Sequence, residues 1–517
     1  MAAAGRGPEI ADTGMKMNGT HYRANEAFAR GRLRPERIAP PAPRRVIGTR
    51  IIDPASLRDD DIRGIVGKTL DDADAGALGA AFGTFVAGRG GRTVALGFDG
   101  RLTSRALAIA FARGMIATGM QVARIGLGPT PMLYFANAQL RTDAAVMVTG
   151  SHDPPEYNGF KLVVGGQSLR RADIRRLSEV AGSGAFASGS GLMLNRPMIE
   201  AYVERLVGDL ALERPLTVAW DASNGAVGAV LAKLCTRLPG RHVLLNEMVD
   251  GTFPSHHPDP ARPDALDQLR KIVVAEECDL GVAFDGDGDR IGVVDGEGRV
   301  LWNDQVLLLL ARDVLREHPG ATVVADVKAS QMLFDEIARL GGRPVIARAG
   351  RGPVEAKIVE TSASLAGETS GHIFLRDKYY GYDDALYAAV RLMNLVSRAD
   401  RSLAALRDGM PQTFNIPELS LPCTDDRKLA VIDEICARLV ADGAEIVAID
   451  GVRFKTDDGW WLLRASRSRA ALVARCGGTT EAGLIRVTET LREQLECSGV
   501  AAGALDDIRE NPLAEAD

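Results

Sequence analysis

Thirteen residues, Thr149 to Lys161, set one serine among groups able to move a proton or a phosphoryl group: TGSHDPPEYNGFK. Ser151 offers a hydroxyl, His152 stands beside it, and Lys161 lies ten residues on. The preceding AAVMVTG is a short apolar run of the kind that makes a buried strand, and Pro154, Pro155, Asn158 and Gly159 make a loop of the residues after Ser151. A serine at such a strand end can accept and donate a group, which makes Ser151 a candidate phosphoryl carrier. Taken alone, Ser-His-Asp would more simply be a turn whose side chains bond nearby amides. The rest of the chain favours chemistry.

The second motif is FDGDGDR, residues 284–290, between the apolar runs LGVAF and IGVV. Asp285, Asp287 and Asp289 alternate with glycines that permit tight backbone geometry, so three carboxylates can converge on one hard cation. A calcium loop of the EF-hand type fails on spacing: its sixth position needs Gly and holds Arg290, and its twelfth needs Glu and holds Gly296. An acidic surface hairpin is the plainer alternative, but two apolar strands would not need three aligned acids at their turn. A phosphoserine would bring about −1.5 to −2 in charge. With three aspartates beside it, a divalent cation is needed to hold the groups together, and Mg²⁺ accepts a few carboxylates plus a phosphate oxygen. Ser151, through its phosphate, therefore joins the three aspartates as an expected metal ligand, and Arg290 and Lys161 can add positive charge at the transferring group.

Two weaker motifs lie further on. In GETSGH, residues 367–372, Glu368 and Ser370 present an acceptor and a donor-acceptor suited to vicinal sugar hydroxyls, and His372 could relay a proton. In RASRSR, residues 464–469, three arginines and two serines at a strand end could cradle a phosphate dianion. Each could equally be a loop stabilising itself or a solvated basic turn.

Alternating strands and helices must position these loops. TVALGFDGRLTSRALAIAFARGMIATGMQVARIG reads as strand, Asp99, loop, amphipathic helix and strand, and the same order recurs around Asp221 and Asp326. Spacings of 105 to 122 residues between these aspartates predict three related α/β domains built by duplication. After about residue 412 a helix through LAVIDEICARLV and short alternating segments predict an α+β domain. Residues 1–45, rich in Lys and Arg and ending in LRPERIAPPAPRR, show no apolar periodicity and are expected to form a disordered tail. Glu9, Asp12, Glu26 and Glu36 argue against a transit peptide.

Bulk properties narrow the class. A chain of 517 residues exceeds one core, and 46% apolar with 25% charged residues is ordinary for a globular protein. A net charge of −6 with mixed signs gives no general basic surface, which excludes nucleic acid as a partner. The six cysteines never approach C-x-x-C spacing, so no zinc site or disulfide framework is expected. No apolar run reaches the ~20 residues that span a bilayer, and a cytoplasmic location without membrane association is expected.

Together the four motifs resemble the α-D-phosphohexomutase family, in its phosphomannomutase/phosphoglucomutase branch, over about residues 48–497. TGSHDPPEYNGFK is similar to the family's phosphoserine loop, with Asp153 where Asn is usual, and FDGDGDR to its metal loop without change. DIRG at 61–64, PTPMLYFA at 129–136, FPSHHPDP at 253–260 and DVKAS at 326–330 are lesser matches. The resemblance implies four domains around a central cleft, three α/β mixed-sheet domains and a C-terminal α+β domain. Their expected limits are 46–196, 197–299, 300–411 and 412–506. It implies Ser151 as the phosphorylated nucleophile on Mg²⁺ held by Asp285, Asp287 and Asp289, with His152, Lys161 and His372 as acid/base groups and Arg63 and Arg290 assisting. Lys328, Glu368, Ser370, Arg464, Ser466, Arg467 and Ser468 would bind a sugar phosphate. The implied reaction interconverts hexose 6-phosphate and hexose 1-phosphate, of mannose and/or glucose, through a hexose 1,6-bisphosphate, with glucose 1,6-bisphosphate as activator. A monomer or homodimer is expected.

This chain departs from the family on the substrate side. RASRSRA stands where RASNTEP is usual, so Arg467 replaces Asn and Ala470 replaces Pro. Ala349, Gly350, Arg351 and Gly352 replace TGHS, with Arg351 in place of a substrate-facing His, and Asp60 replaces an aromatic before DIRG. Alternatives are a phosphoglucosamine mutase, or a sugar-phosphate-binding paralogue without catalysis. A pure binder would not need the nucleophile and three aspartates.

Overall fold

A computed structural model describes residues 47–416, 418–466 and 469–505. The expected tail, residues 1–45, and two expected phosphate-binding residues, Arg467 and Ser468, lie outside the described residues.

The three predicted strand-helix-strand units are present, and each builds the same sheet. In the first, strand Thr93–Phe98 pairs in parallel with Gln121–Leu127 on one side and Ala144–Val148 on the other. Ala144–Val148 then turns back into antiparallel Tyr157–Val164. In the second, Leu216–Asp221 lies between parallel Gly240–Leu245 and Leu280–Phe284, and Leu280–Phe284 turns back into Ile291–Asp295. In the third, Thr322–Asp326 lies between Arg343–Ala347 and Leu365–Gly367, and Leu365–Gly367 turns back into Ile373–Leu375. The Ser151, Asp285–Asp289 and Glu368–His372 stretches all fall in that returning hairpin. Each sheet thus presents its chemistry at the C-terminal end of its parallel strands, where loops leave the sheet.

The aspartate ending each central strand sets the loop after it. Asp99, Asp221 and Asp326 each accept the backbone N–H two residues on, from Arg101, Ser223 and Lys328, at 3.0, 2.8 and 3.2 Å. Such a turn fixes the loop by local side-chain bonding. Asp99 and Asp326 also reach into the adjacent hairpin, accepting from the hydroxyls of Thr149 and Thr369.

The strands are apolar throughout because both faces are covered. In Ala144–Val148, Ala145 and Met147 pack into a core shared with the second and third sheets, while Ala144, Val146 and Val148 face a core beneath the first sheet alone. That period of two is what a pleated strand requires. A separate core belongs to the fourth sheet, in which Val452–Thr456, Gly459–Ala465 and Ala471–Gly478 run antiparallel under helices Lys428–Ala441 and Glu481–Cys497. All six cysteines are free thiols. Among the described residues, no helix is long and apolar enough to cross a membrane.

Candidate active site

Ser151 is buried, and its backbone sits in the left-handed region at φ 50°. Its N–H donates to the Thr149 hydroxyl at 2.7 Å, and Thr149 in turn donates to Asp99. The serine Oγ donates to Asp285 Oδ2 at 2.9 Å and lies 3.3 Å from His152 Nδ1. Burial, and then the positive charges of Arg290 and Arg63, push His152 well below its ordinary value, so its imidazole is neutral. Gly286 lets the two loops meet: a Cβ there would lie 2.5 Å from the Ser151 carbonyl oxygen.

Asp285, Asp287 and Asp289 are fully buried, with ligand oxygens within 4.8 Å of one another. Asp285 Oδ1 accepts from the N–H groups of Asp289 and Arg290, which closes the loop. Asp287 Oδ2 accepts from Lys161 Nζ at 2.7 Å and from the Thr130 hydroxyl, while Asp289 Oδ2 accepts from the same ammonium. Asp287 Oδ1 and Asp289 Oδ1 are buried with no hydrogen-bond partner. Burial and its two neighbours push the Asp285 carboxyl well above its ordinary range. Against burial, Lys161 holds Asp287 and Asp289 below it. Three buried carboxylates with one ammonium and two orphaned oxygens are short of positive charge, and a divalent cation on oxygen ligands fits that deficit.

A cavity of about 230 Å³ lies above this floor. The first sheet lines it with Asp60, Asp61, Arg63, Ser151 and Lys161, the second with Arg290, and the third with Lys328, Arg351, Glu368, Ser370, His372 and the backbone at Ala349 and Gly350. Arg63 is gripped by Asp61 and, at 3.2 Å, by Asp153. The unusual aspartate at position 153 therefore supplies the second carboxylate holding this guanidinium. Arg290 Nε donates to His372 Nε2 at 3.1 Å, which leaves the His372 proton on Nδ1, 2.9 Å from Asp383. Glu368 accepts from the Gly350 N–H at 2.7 Å through one oxygen, and its other is buried without a partner. That oxygen is free for a ligand hydroxyl.

Arg351 lies in the cavity wall, and two expected phosphate-binding residues, Arg464 and Ser466, lie outside its lining. Arg351, in the cavity wall where a substrate-facing His is usual, spends its donors on protein: both Asp383 oxygens at 2.8 and 3.0 Å, Glu355 at 2.8 Å and the Ser168 hydroxyl, with Tyr134 stacked 4.6 Å away. Its charge is neutralised within the wall. Arg464 and Ser466 do not line the cavity. Arg464 pairs with Asp450 at 2.9 Å, Asp450 accepts from the Ala349 N–H of the cavity wall, and the Ser466 hydroxyl accepts from the Arg469 N–H inside its own turn.

Other contributors were given no role by their sequence. Thr130, at the start of helix Thr130–Leu140, donates its N–H to the Asp287 carbonyl at 2.8 Å as well as its hydroxyl to the carboxylate. Asp383 ties Arg351 to His372. Arg453 and Arg475 reach from the fourth sheet to the Lys328 loop: Arg453 donates to the carbonyls of Val327 and Ala329 at 2.7 and 2.8 Å, and Arg475 to that of Lys328 at 2.6 Å. PTPMLYFA marks Thr130, but nothing in the sequence links it to a residue 157 positions away.

Comparison with known proteins gives the same picture. Residues 55–187, 200–298 and 302–414 match the phosphoglucomutase/phosphomannomutase alpha/beta/alpha domains I, II and III. The chain is 39% identical over 444 residues to the phosphomannomutase/phosphoglucomutase of Pseudomonas aeruginosa, covering 86% of this chain and 96% of that one. It is 39% identical over 440 residues to the phosphoglucomutase of Neisseria gonorrhoeae, covering 84% and 95%. A crystal structure of a phosphoglucomutase/phosphomannomutase family protein from Burkholderia thailandensis superposes with a TM-score of 0.83 at 39% identity, over 87% of this chain and 98% of that one.

Proposed function

Because the chain belongs to the phosphoglucomutase/phosphomannomutase family of α-D-phosphohexomutases, we propose that it interconverts the 6-phosphate and 1-phosphate of a hexose, mannose and/or glucose, with Ser151 as phosphoryl carrier. The observation that carries this reading is the contact of the Ser151 hydroxyl with Asp285, 2.9 Å apart, over a buried floor of three aspartates. The sugar hydroxyl attacks phosphorus and gives its proton to a base, the bond from phosphorus to Ser151 Oγ breaks, and Ser151 Oγ takes up a proton as it leaves. The bisphosphate then turns over, and its other phosphoryl group returns to Ser151.

Each residue has a part in this scheme. Asp285, Asp287, Asp289 and a phosphate on Ser151 would hold Mg²⁺, which would draw charge from the transferring group. Arg63 and Arg290 offset the remaining charge, and His152, neutral and beside Ser151 Oγ, is suited to take up a proton. Lys161 and His372 are the further acid/base groups. Glu368, with one oxygen unpaired, and Ser370 read sugar hydroxyls, and Lys328 meets the substrate's charge. Arg464 and Ser466, with Arg467 and Ser468, hold the non-reacting phosphate from the rim. The domain limits are then 46–196, 197–299, 300–411 and 412–506, and a hexose 1,6-bisphosphate such as glucose 1,6-bisphosphate primes Ser151.

The test is phosphorus NMR of the protein with Mg²⁺, a trace of glucose 1,6-bisphosphate, and in turn glucose, mannose and glucosamine 1-phosphates. Conversion of glucose or mannose 1-phosphate to the 6-phosphate, abolished in Ser151→Ala, is expected. Conversion of glucosamine 1-phosphate alone would transfer the reading to an amino-sugar mutase, and full activity in Ser151→Ala would refute the carrier.

A further inference from the structure

Arg101 lies in no motif that names a role, yet its side chain is completely buried under the serine loop. Nη1 donates to the carbonyls of Pro154 and Tyr157 at 2.6 and 3.0 Å, and Nη2 to those of Ser151 and Asp153, the first at 2.7 Å. One guanidinium thus gathers four carbonyls of the loop that carries the nucleophile. Its nearest carboxylate is Asp99, 3.3 Å from Nε, and the Phe253 ring of the second unit covers it at 5.0 Å. Burying a cation is costly unless its hydrogen bonds are met. Here Nη1 and Nη2 are met by a loop whose two prolines, Pro154 and Pro155, cannot supply N–H groups of their own, while Nε, without a hydrogen bond, faces Asp99.

Ser151 needs such a hold. A non-glycine residue in the left-handed region is strained and persists only where its surroundings impose it. Thr149 fixes the serine N–H from the front, and Arg101 fixes its carbonyl from behind. Gly150 lets the guanidinium in: a Cβ there would lie 2.6 Å from Arg101 Cζ.

We propose that Arg101 is a positioning residue for the phosphoryl carrier, holding Ser151 in the left-handed conformation that points Oγ at Asp285. This rests on Ser151 being that carrier. A displacement of about 1 Å at a reacting group can cost about 100-fold in rate. Arg101→Lys, which keeps the charge but cannot span four carbonyls, is expected to lower kcat about 100-fold with KM for the sugar phosphate changed less than about twofold, and to shift the phosphoserine ³¹P resonance. Gly150→Ala keeps Arg101 while crowding it, and is expected to give the same split between kcat and KM. A residue that only stabilised the fold would instead reduce the folded fraction and leave kcat per folded, phosphorylated molecule unchanged. Normal kcat in both variants, with Ser151 phosphorylated in the wild type, overturns the positioning role alone. An unphosphorylated Ser151 in active wild-type enzyme overturns the carrier and the positioning role together.

Discussion

Arg101 and Lys328 occupy the same place in two related sheets, each two residues beyond the aspartate that ends the central strand and each with its N–H on that aspartate. Arg101 turns inward and holds the neighbouring hairpin of its own unit. Lys328 turns into the cavity, and its loop is held from outside by Arg453 and Arg475 of the fourth sheet. The first unit therefore holds the backbone of its reacting loop with its own guanidinium, whereas the third borrows the hold on its substrate-facing cation. The contrast separates a chemical half, whose nucleophile loop is held from within its own sheet, from a reading half whose loop is held by the fourth domain. Arg453 shows the cost of lending that hold: burial, with Arg475 beside it, pushes its guanidinium down to about 9.

Three measurements sharpen or break this contrast. The largest effect belongs to the chemical half. Asp287→Asn removes a carboxylate that Lys161 and Thr130 both hold, and should raise the Mg²⁺ concentration for half-maximal activity by at least about 100-fold, since lesser changes around metal sites cost 10- to 100-fold. An unaltered Mg²⁺ titration would remove the metal assignment. Next, Arg453→Ala leaves the Val327 and Ala329 carbonyls without their donor and should raise KM about tenfold, with Ser151 phosphorylation by mass spectrometry unchanged. A fall in phosphorylation of equal size would erase the distinction between the halves.

The smallest effect is on stability alone. Asp384 caps the helix Ala385–Arg398 behind the third hairpin and accepts from the hydroxyls of Tyr202 and Tyr379. Burial pushes its carboxyl up to about 7 from an ordinary 3.8. The folded chain then keeps a proton that the unfolded chain releases, so this group's contribution is complete below about pH 4 and is lost as pH rises through about 7. Asp384→Asn should flatten the decline of Tm over that interval while leaving kcat within about twofold. Parallel Tm profiles for the two proteins would refute the assignment.

The repeated units were legible because strand, aspartate, loop and helix succeed one another within some thirty residues, and apolar runs report burial directly. Ser151 and the three aspartates were legible because each group is contiguous and chemically costly to keep for structure alone. The hidden part is what long-range pairing decides. Arg101 meets its carbonyls 50 to 56 positions away, and Thr130 meets Asp287 157 away. The partners of Arg351 were hidden for the same reason: Asp383 lies 32 residues downstream and Ser168 183 residues upstream. Arg464 is tied to the cavity wall through Asp450, 14 residues before it in the chain and outside the RASRSR motif.

The returning hairpin has a consequence for how such a protein can change. In the third sheet the pairs Leu365 with Leu375, Ala366 with Phe374 and Gly367 with Ile373 clamp the base of the loop that carries Glu368 and Ser370. Exchanges of Glu368 or Ser370 between those ends leave these three pairs in register, while His372 at the far end stays tied to Arg290 of the metal loop. The fold thus works as a socket with interchangeable fittings, in which ligand preference can drift or be transplanted while the group-transfer apparatus is inherited whole.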